Sequence, residues 1–503
     1  MKFQFGGSNI WHNLISNLAG NGWLALMQII LVPVFIRLLG IKAYGLFGFY
    51  LALQAMAQMF DLGLGTTLNR ELAHYSAQAE RSGEVRDFVR TFELACWIVA
   101  VLAGVTILWA ASFFVTRWTQ TDQISVTAIR QVVFCFGALV TMQLLIRFYQ
   151  GGLSGLQRQP LMNLIQIIMV TLRDGGSIVV LRWVRPTITA FFLWQTVALM
   201  IYAVAIRMVL WWSLPPAERP ARLHPGLLRS KSRFAAGLSG ITLLALILTQ
   251  IDKVILSRLL SLDAYGYYIL ATTAATGLTL LTISLFIAIF PHFSALVATG
   301  DDVSLRASYH FNSQLMSLMV MPAAGMVSLF AFDLLLLWTG NIESSKNAAP
   351  VLSVYLIGTA MNSLMLIPFA VQLAHGWTSI ALRISLLQLL VFVPSVIFLS
   401  RGYGPVGAAF AWVMSSGINM IATIFLTHAQ LLKGESWTGF VRNIGLPALA
   451  VLTMTMIWRQ MTSEISGFLH PVAAALALFV IASAAVVLAA DGLRSSIFSR
   501  LRN

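Results

Sequence analysis

Charge is scarce in this chain: 10% of its 503 residues are Asp, Glu, Lys or Arg, against about 25% in an average soluble domain. Cysteine is scarcer. Cys96 and Cys135 are the only two, both inside apolar segments, so there is no disulfide framework and no cysteine-based metal spacing. Long polar stretches are also missing. The longest run from Asn69 to Arg90 and from Ser213 to Arg233, and neither could bury the core of a separate catalytic domain. No G-x-x-x-x-G-K-[ST] phosphate cradle occurs, which disfavours a self-contained ATPase. H-E-x-x-H and G-x-S-x-G are absent, the eight histidines are scattered, and Asp301-Asp302 has no companions for a sugar-nucleotide metal site. An enzyme finds no residues here to work with, and no cofactor is expected.

What fills the chain is apolar sequence, 58% hydrophobic residues, in serial segments of about 20 residues, each long enough to cross a hydrocarbon core of ~30 Å as a helix. About fourteen such spans are predicted, making this an all-α polytopic membrane protein. Met1 to Gly7 carries a single Lys and no small-residue cleavage site follows, so the first helix is read as uncleaved. The formal charge of +14 raises nucleic acid as a partner. Sorting the 32 Lys and Arg residues by loop, with a cytoplasmic N-terminus, places about 20 on the cytoplasmic side and about 10 opposite, as the positive-inside rule requires. The basic balance reports topology and contact with anionic lipid; nucleic acid is not needed to explain it.

The stretch Arg37-Leu38-Leu39-Gly40-Ile41-Lys42-Ala43-Tyr44-Gly45 returns as Arg258-Leu259-Leu260-Ser261-Leu262-Asp263-Ala264-Tyr265-Gly266, identical at six of nine positions. Both copies lie between two long apolar segments and are read as turns on the outer side, so two halves repeat in the same orientation. This predicts a six-helix lobe over 1–212, a basic cytoplasmic linker over 213–234, a second six-helix lobe over 235–428, and two extra C-terminal helices with a tail over 429–503. The four prolines of the linker disfavour a helix and predict an irregular tether near the headgroups.

Polar groups inside spans need a reason, since an ionised side chain at a helix centre costs about 2.5–3.5 kcal/mol on insertion scales. Span one carries Asn9, Asn13, Asn17 and Asn21 at four-residue spacing, with Ser16, Gly20 and Gln28 on the same broad face. They either hydrogen-bond to neighbouring helices or line an aqueous cavity that meets sugar hydroxyls. A partial echo at Thr242 and Thr249, one repeat later, favours the cavity. Arg173 and Asp174 are adjacent, so their side chains are expected to diverge by about 100° and to seek different neighbours. Arg173 and Lys253 are candidate substrate contacts; Asp61, Asp174 and Asp252 are candidates for proton or sodium coupling or for gating. Buried ion pairs and a snorkelling Lys253 are the structural alternatives.

These stretches resemble a known family. The run from the Asn-bearing helix through Arg37 to Gly45 and Asp61-Leu62-Gly63-Leu64, the segment Asp252 to Gly266, Phe290-Pro291 and Gly402-Tyr403-Gly404-Pro405-Val406-Gly407 are similar to the polysaccharide transporter family. These are O-antigen-type flippases of the multidrug, oligosaccharidyl-lipid and polysaccharide exporter superfamily. The resemblance implies two lobes around a cavity that opens alternately to either side of a bacterial inner membrane. Through it an undecaprenyl-diphosphate-linked oligosaccharide would pass, ahead of polysaccharide polymerase and chain-length machinery. Both termini would be cytoplasmic. A cation-coupled multidrug exporter is the alternative activity. Related flippases line the cavity with several basic residues, whereas only Arg173 and Lys253 lie well within spans here, so Arg37, Arg147, Arg207 and Arg383 stand as alternative diphosphate contacts.

Overall fold

The computed structural model describes residues 7–57, 64–76, 82–118, 126–216, 219–224, 239–430, 439, 441–465 and 471–490. Apolar runs that can satisfy their backbone only internally fold as helices, and the described residues contain no strand. Among the described residues, nine helical stretches are long and apolar enough to cross a membrane by length and composition, or ten counting one bent pair. The chain divides into two compact units, Met1–Gln250 and Ile251–Asn503.

The first unit contains α1 (Gly7–Ala57), α2 (Leu64–Ser76), α3 (Ser82–Trp118), α4 (Val126–Gly155), α5 (Gln159–Val179), a π-helical turn at Val180–Val184, and α6 (Ile188–Ser213). α1 is two helices joined at Gly40, whose φ of 80° is open to glycine and costly for a residue with a Cβ. Aromatic packing pins this reversal. Phe35, before the break, meets Phe191 of α6 edge-on at 4.6 Å between centroids, and Phe47, after it, meets the same ring at 5.7 Å. Tyr50 and Phe136 stack behind them at 5.5 Å. Gly151 brings α4 against α2, because a Cβ there would collide with the backbone carbonyl oxygen of Gly65.

α7 (Ser239–Leu259) runs across the boundary between units. The second unit continues with α8 (Leu262–Thr299), α9 (Asp302–Leu329), α10 (Ala331–Thr339), α11 (Ile342–Leu364), α12 (Leu366–Ala374), α13 (Thr378–Gln430, broken at Gly404), α14 (Leu446–Ile465) and α15 (Pro471–Ala489). The second copy of the repeat breaks where the first does. Ser261 corresponds to Gly40 and caps α8, its hydroxyl accepting from Ala264 N at 3.4 Å. α14 and α15 are preceded by Asn443, which is bonded into α9: its side-chain oxygen accepts from Gln314 at 3.2 Å and its carbonyl from Ser317 at 2.8 Å.

Two expectations are corrected. The mixed-charge segment with Arg81, Glu84, Arg86, Asp87 and Arg90, expected as a loop between apolar spans, is helical from Ser82, so the last four of these lie on α3. The apolar run 311–337, expected to cross as a single span, is two helices, since α9 ends at Leu329 and α10 leaves it at 78°.

Candidate functional site

The first unit holds a cavity of about 420 Å³, within the range of roughly 300–1,000 Å³ usual for small-molecule sites. Five of its helices contribute. Leu24 comes from α1; Gly65, Thr66 and Asn69 from α2; Gln143, Ile146, Arg147, Gln150 and Gly151 from α4; Gln166, Val170 and Arg173 from α5; Leu199 and Tyr202 from α6. The wall is unusual for a span interior, with two guanidinium groups, three glutamines and a tyrosine hydroxyl.

The hydrogen bonds orient these groups. Gln150 Nε2 donates to Gln166 Oε1 at 3.2 Å and to the Tyr202 hydroxyl at 3.0 Å. Tyr202 thereby accepts and keeps its own O–H to give, and Gln166 keeps its amide N–H groups. Arg173 donates from Nε to Asp174 Oδ1 at 2.7 Å and from Nη2 to Oδ2 at 3.0 Å. Its Nη1 is not used in that fork. The cavity therefore offers donors, and among its described lining residues there is no carboxylate.

This overturns the expected divergence of Arg173 and Asp174. A 100° separation holds for Cβ directions, but the long arginine stem bends along the helix surface and returns the guanidinium to its neighbour. α6 fixes the helix at this level. Trp194 Nε1 donates to the carbonyl of Arg173 at 3.0 Å, and Gln195 Nε2 to Ser177 Oγ at 3.0 Å.

The other sequence candidates are dispersed. The side chains of Asn13, Asn17 and Asn21, and all of Asp61, lie outside the described residues, as does the side chain of Thr242. Gln28 is exposed. Ser16 and Gly20, on the same helix, meet α5: Asn163 Nδ2 donates to Ser16 Oγ at 3.2 Å, and Trp23 Nε1 bonds Thr171 Oγ1 at 2.9 Å nearby. Of the four alternative arginines, Arg147 shares the cavity with Arg173, Arg37 and Arg383 are exposed, and Arg207 belongs to an ion pair with Glu93 at 2.6 Å.

Glu93 was not singled out from sequence. Its carboxylate on α3 accepts from Arg207 Nε, from the Tyr149 hydroxyl at 2.9 Å, from Arg90 Nη1 at 3.2 Å and from Trp211 Nε1 at 3.4 Å. Two turns earlier, Asp87 holds the linker. Arg219 Nη2 donates to its Oδ2 and Arg222 N to its Oδ1, both at 2.6 Å, His224 Nε2 lies 3.4 Å from Oδ2, and Arg86 Nε reaches the carbonyl of Pro215 at 2.8 Å. The irregular tether is thus seated on α3 as far as His224.

In the second unit Asp252 is buried, 2% exposed. Its Oδ2 accepts from the Tyr268 hydroxyl at 2.5 Å, while Oδ1 and the nearby Tyr265 hydroxyl have no hydrogen-bond partner. Tyr355 meets Tyr268 edge-on at 6.1 Å and stacks on Trp412. Lys253 is half-buried beside it. Among the described residues no group of three His, Cys, Asp or Glu side chains could hold a metal ion.

Comparison with known proteins adds three findings. A family model described as polysaccharide biosynthesis protein matches residues 10–297. A Shigella flexneri protein named as an O-antigen transporter is 22% identical over 412 residues, covering 80% of this chain and 94% of its own. Among solved structures, the chain is similar to the lipid II flippase MurJ in an inward closed conformation, with TM-score 0.63 and 14% identity over 94% of this chain and 99% of that one. It is also similar to an inward-facing multidrug resistance MATE family transporter of the MOP superfamily, with TM-score 0.60 and 13% identity over 82% and 96%. At these identities the structures speak for the fold.

Proposed function

Because the chain belongs to the polysaccharide biosynthesis protein family, we propose that it is a flippase that carries a lipid-linked oligosaccharide across the membrane. The observation that carries this reading is the donor-lined cavity of Arg147, Arg173, Gln150, Gln166 and Tyr202 inside a membrane-spanning unit. Amide and hydroxyl donors suit sugar oxygens, and guanidinium groups suit phosphate. The O-antigen transporter relative supports the same class of substrate.

In its finer form the proposal is an undecaprenyl-diphosphate-linked repeat unit of O-antigen, capsule or exopolysaccharide, moved by alternating access across a bacterial inner membrane. Both termini are cytoplasmic in this scheme. Asn13, Asn17, Asn21, Gln28, Arg173 and Lys253 contact the substrate; Asp61, Asp174 and Asp252 couple transport to protons or sodium or gate it. Polysaccharide polymerase and chain-length machinery take the product.

The test is a deletion strain lacking paralogues. Lipid-linked oligosaccharide accumulates on the inner leaflet and surface glycan disappears; normal surface glycan refutes the proposal. Arg173→Ala lowers export at unchanged protein level. The unpartnered Oδ1 of Asp252 among tyrosines favours a second reading, a cation-coupled multidrug exporter, which predicts raised drug susceptibility on deletion.

A further inference from the structure

The first unit holds a second cavity, of about 530 Å³, that the site above does not use. Leu38 and Leu39 of α1, Gln131 of α4, and Arg185, Thr187 and Thr189 where the π-turn passes into α6 all line it. Its level in the membrane follows from Glu93, which bonds Tyr149 near the end of α4 and Arg207 near the end of α6. From those contacts back to Gln131 and Ile188 the helices rise about 27–29 Å at 1.5 Å per residue, close to the ~30 Å of a hydrocarbon core. The cavity therefore sits at the membrane surface opposite the seat of the linker on α3.

One end of it is polar. Arg185 is exposed, and among the described residues no hydrogen bond or ion pair engages its guanidinium. The backbone that carries it is fixed, since Arg185 N donates to the carbonyl of Val180 at 3.0 Å and Thr187 N to that of Arg185 at 2.9 Å. Thr187 Oγ1 accepts from Ala190 N at 3.3 Å and keeps its own O–H to give. The Thr189 hydroxyl and the Gln131 amide complete this wall, and among its described lining residues there is no carboxylate.

The other end is apolar and opens sideways. Leu193 lines the cavity and begins a row of exposed side chains, Val197, Ile201, Val204 and Met208, at three- and four-residue steps along α6. An apolar row exposed along a spanning helix faces lipid. Trp183 and Val184, exposed just before Arg185, mark the level of the cavity as interfacial.

We propose that this cavity binds an anionic phospholipid of the leaflet opposite the linker, its phosphodiester on Arg185 and one acyl chain along the Leu193 row. A guanidinium matches phosphate oxygens, and a glycerol headgroup brings hydroxyls to Gln131, Thr187 and Thr189. An ethanolamine headgroup brings an ammonium, for which the wall has no carboxylate. The bound lipid touches the α1 break, the start of α4 and the entry to α6, and so ties three helix ends together. The site rests on the spanning helices alone; a deletion strain with normal glycan export refutes the transport reading and leaves lipid binding untouched.

The test uses the full chain in detergent micelles and native mass spectrometry, with dioleoyl phosphatidylglycerol and dioleoyl phosphatidylethanolamine as probes. The wild type is expected to bind the glycerol lipid about fivefold more tightly, the weight of one basic side chain at an anionic membrane surface. Arg185→Gln loses about fivefold for the glycerol lipid and narrows the preference to within about twofold. Arg182→Gln removes an equal charge nearby but outside the cavity wall, and changes binding less than about twofold. Ala128→Leu keeps every charge, fills part of the cavity and weakens binding of the glycerol lipid. Equal affinity for the two lipids in the wild type overturns the proposal. So does a loss in Arg182→Gln that matches Arg185→Gln, which marks surface charge and no cavity. Water-soluble glycerophosphoglycerol bound as tightly as the lipid overturns the acyl-chain row, and a prenyl phosphate bound more tightly overturns the glycerol headgroup. If Ala128→Leu is not monodisperse, the two arginine variants decide.

Discussion

Replacing Glu93 by Ala is expected to loosen the first unit more than any substitution at an exposed carboxylate of the same helix. Its carboxylate is 2% exposed and receives four donors from α3, α4 and α6. Hydrogen bonds to a charged group contribute about 1.5–3 kcal/mol each, and an orphaned buried donor costs about 1–3 kcal/mol. Arg207 and Arg90 are 41% and 49% exposed, so both recover solvation when the acceptor is lost. The uncompensated loss falls on Tyr149, 1% exposed, and on Trp211. A net loss of about 3 kcal/mol results, which for a unit of this size corresponds to about 6–12 °C in Tm. The chain carries its own reporters for the assay. Cys96 on α3 and Cys135 on α4 are buried, so a thiol-reactive fluorogenic maleimide labels them only as those helices open. Glu84→Ala, at an exposed position of α3, serves as control with a change within about 0.5 kcal/mol. Arg207→Ala completes a double-mutant cycle whose coupling exceeds about 0.5 kcal/mol. A Tm shift below about 1 °C for Glu93→Ala, or strict additivity with Arg207→Ala, refutes the reasoning.

Three further outcomes are expected. Asp87→Ala removes the acceptor of Arg219, Arg222 and His224, and trypsin should cut after Arg219 or Arg222 several-fold faster than in the wild type at equal protease; equal rates refute the seating of the linker on α3. Gly40→Ala forces a Cβ residue into a φ of 80°, costing about 1–2 kcal/mol, whereas Gly175→Ala meets no atom within 4 Å and is tolerated; matching melting curves for the two variants would contradict the left-handed turn. Asn443→Ala withdraws the acceptor of Gln314 and a 2.7 Å contact with His310, and hydrogen exchange should rise in α14 before it rises in α9; unchanged protection of α14 counts against a polar anchor there.

The helical architecture was legible because membrane spans announce themselves by length, and the repeat located two helix breaks that the structure has at Gly40 and Ser261. That Arg173 faces a cavity was legible too, since a charge within a span must face something other than lipid. Its pairing with Asp174 was not, because Cβ geometry says little about where a four-carbon stem ends. Asp87 and Glu93 escaped for a different reason. In sequence they sit among Arg86, Arg90 and Glu84, a mixture that reads as solvated loop, and only the return of α6 and the linker to α3 puts Arg207, Arg219 and Arg222 beside them. Those three arginines are more than a hundred residues away, beyond any local pattern. The amides of Gln143, Gln150 and Gln166 were missed likewise, because they become one wall only when α4 and α5 meet.

The seating of the linker sets a length scale. With the chain held on α3 through His224 and helical again from Ser239, the covalent leash between those two points cannot exceed about 50 Å at the ~3.3–3.6 Å per residue of an extended chain. Any rearrangement that the protein undergoes in the membrane must keep the start of α7 within that distance of the contact between His224 and Thr91.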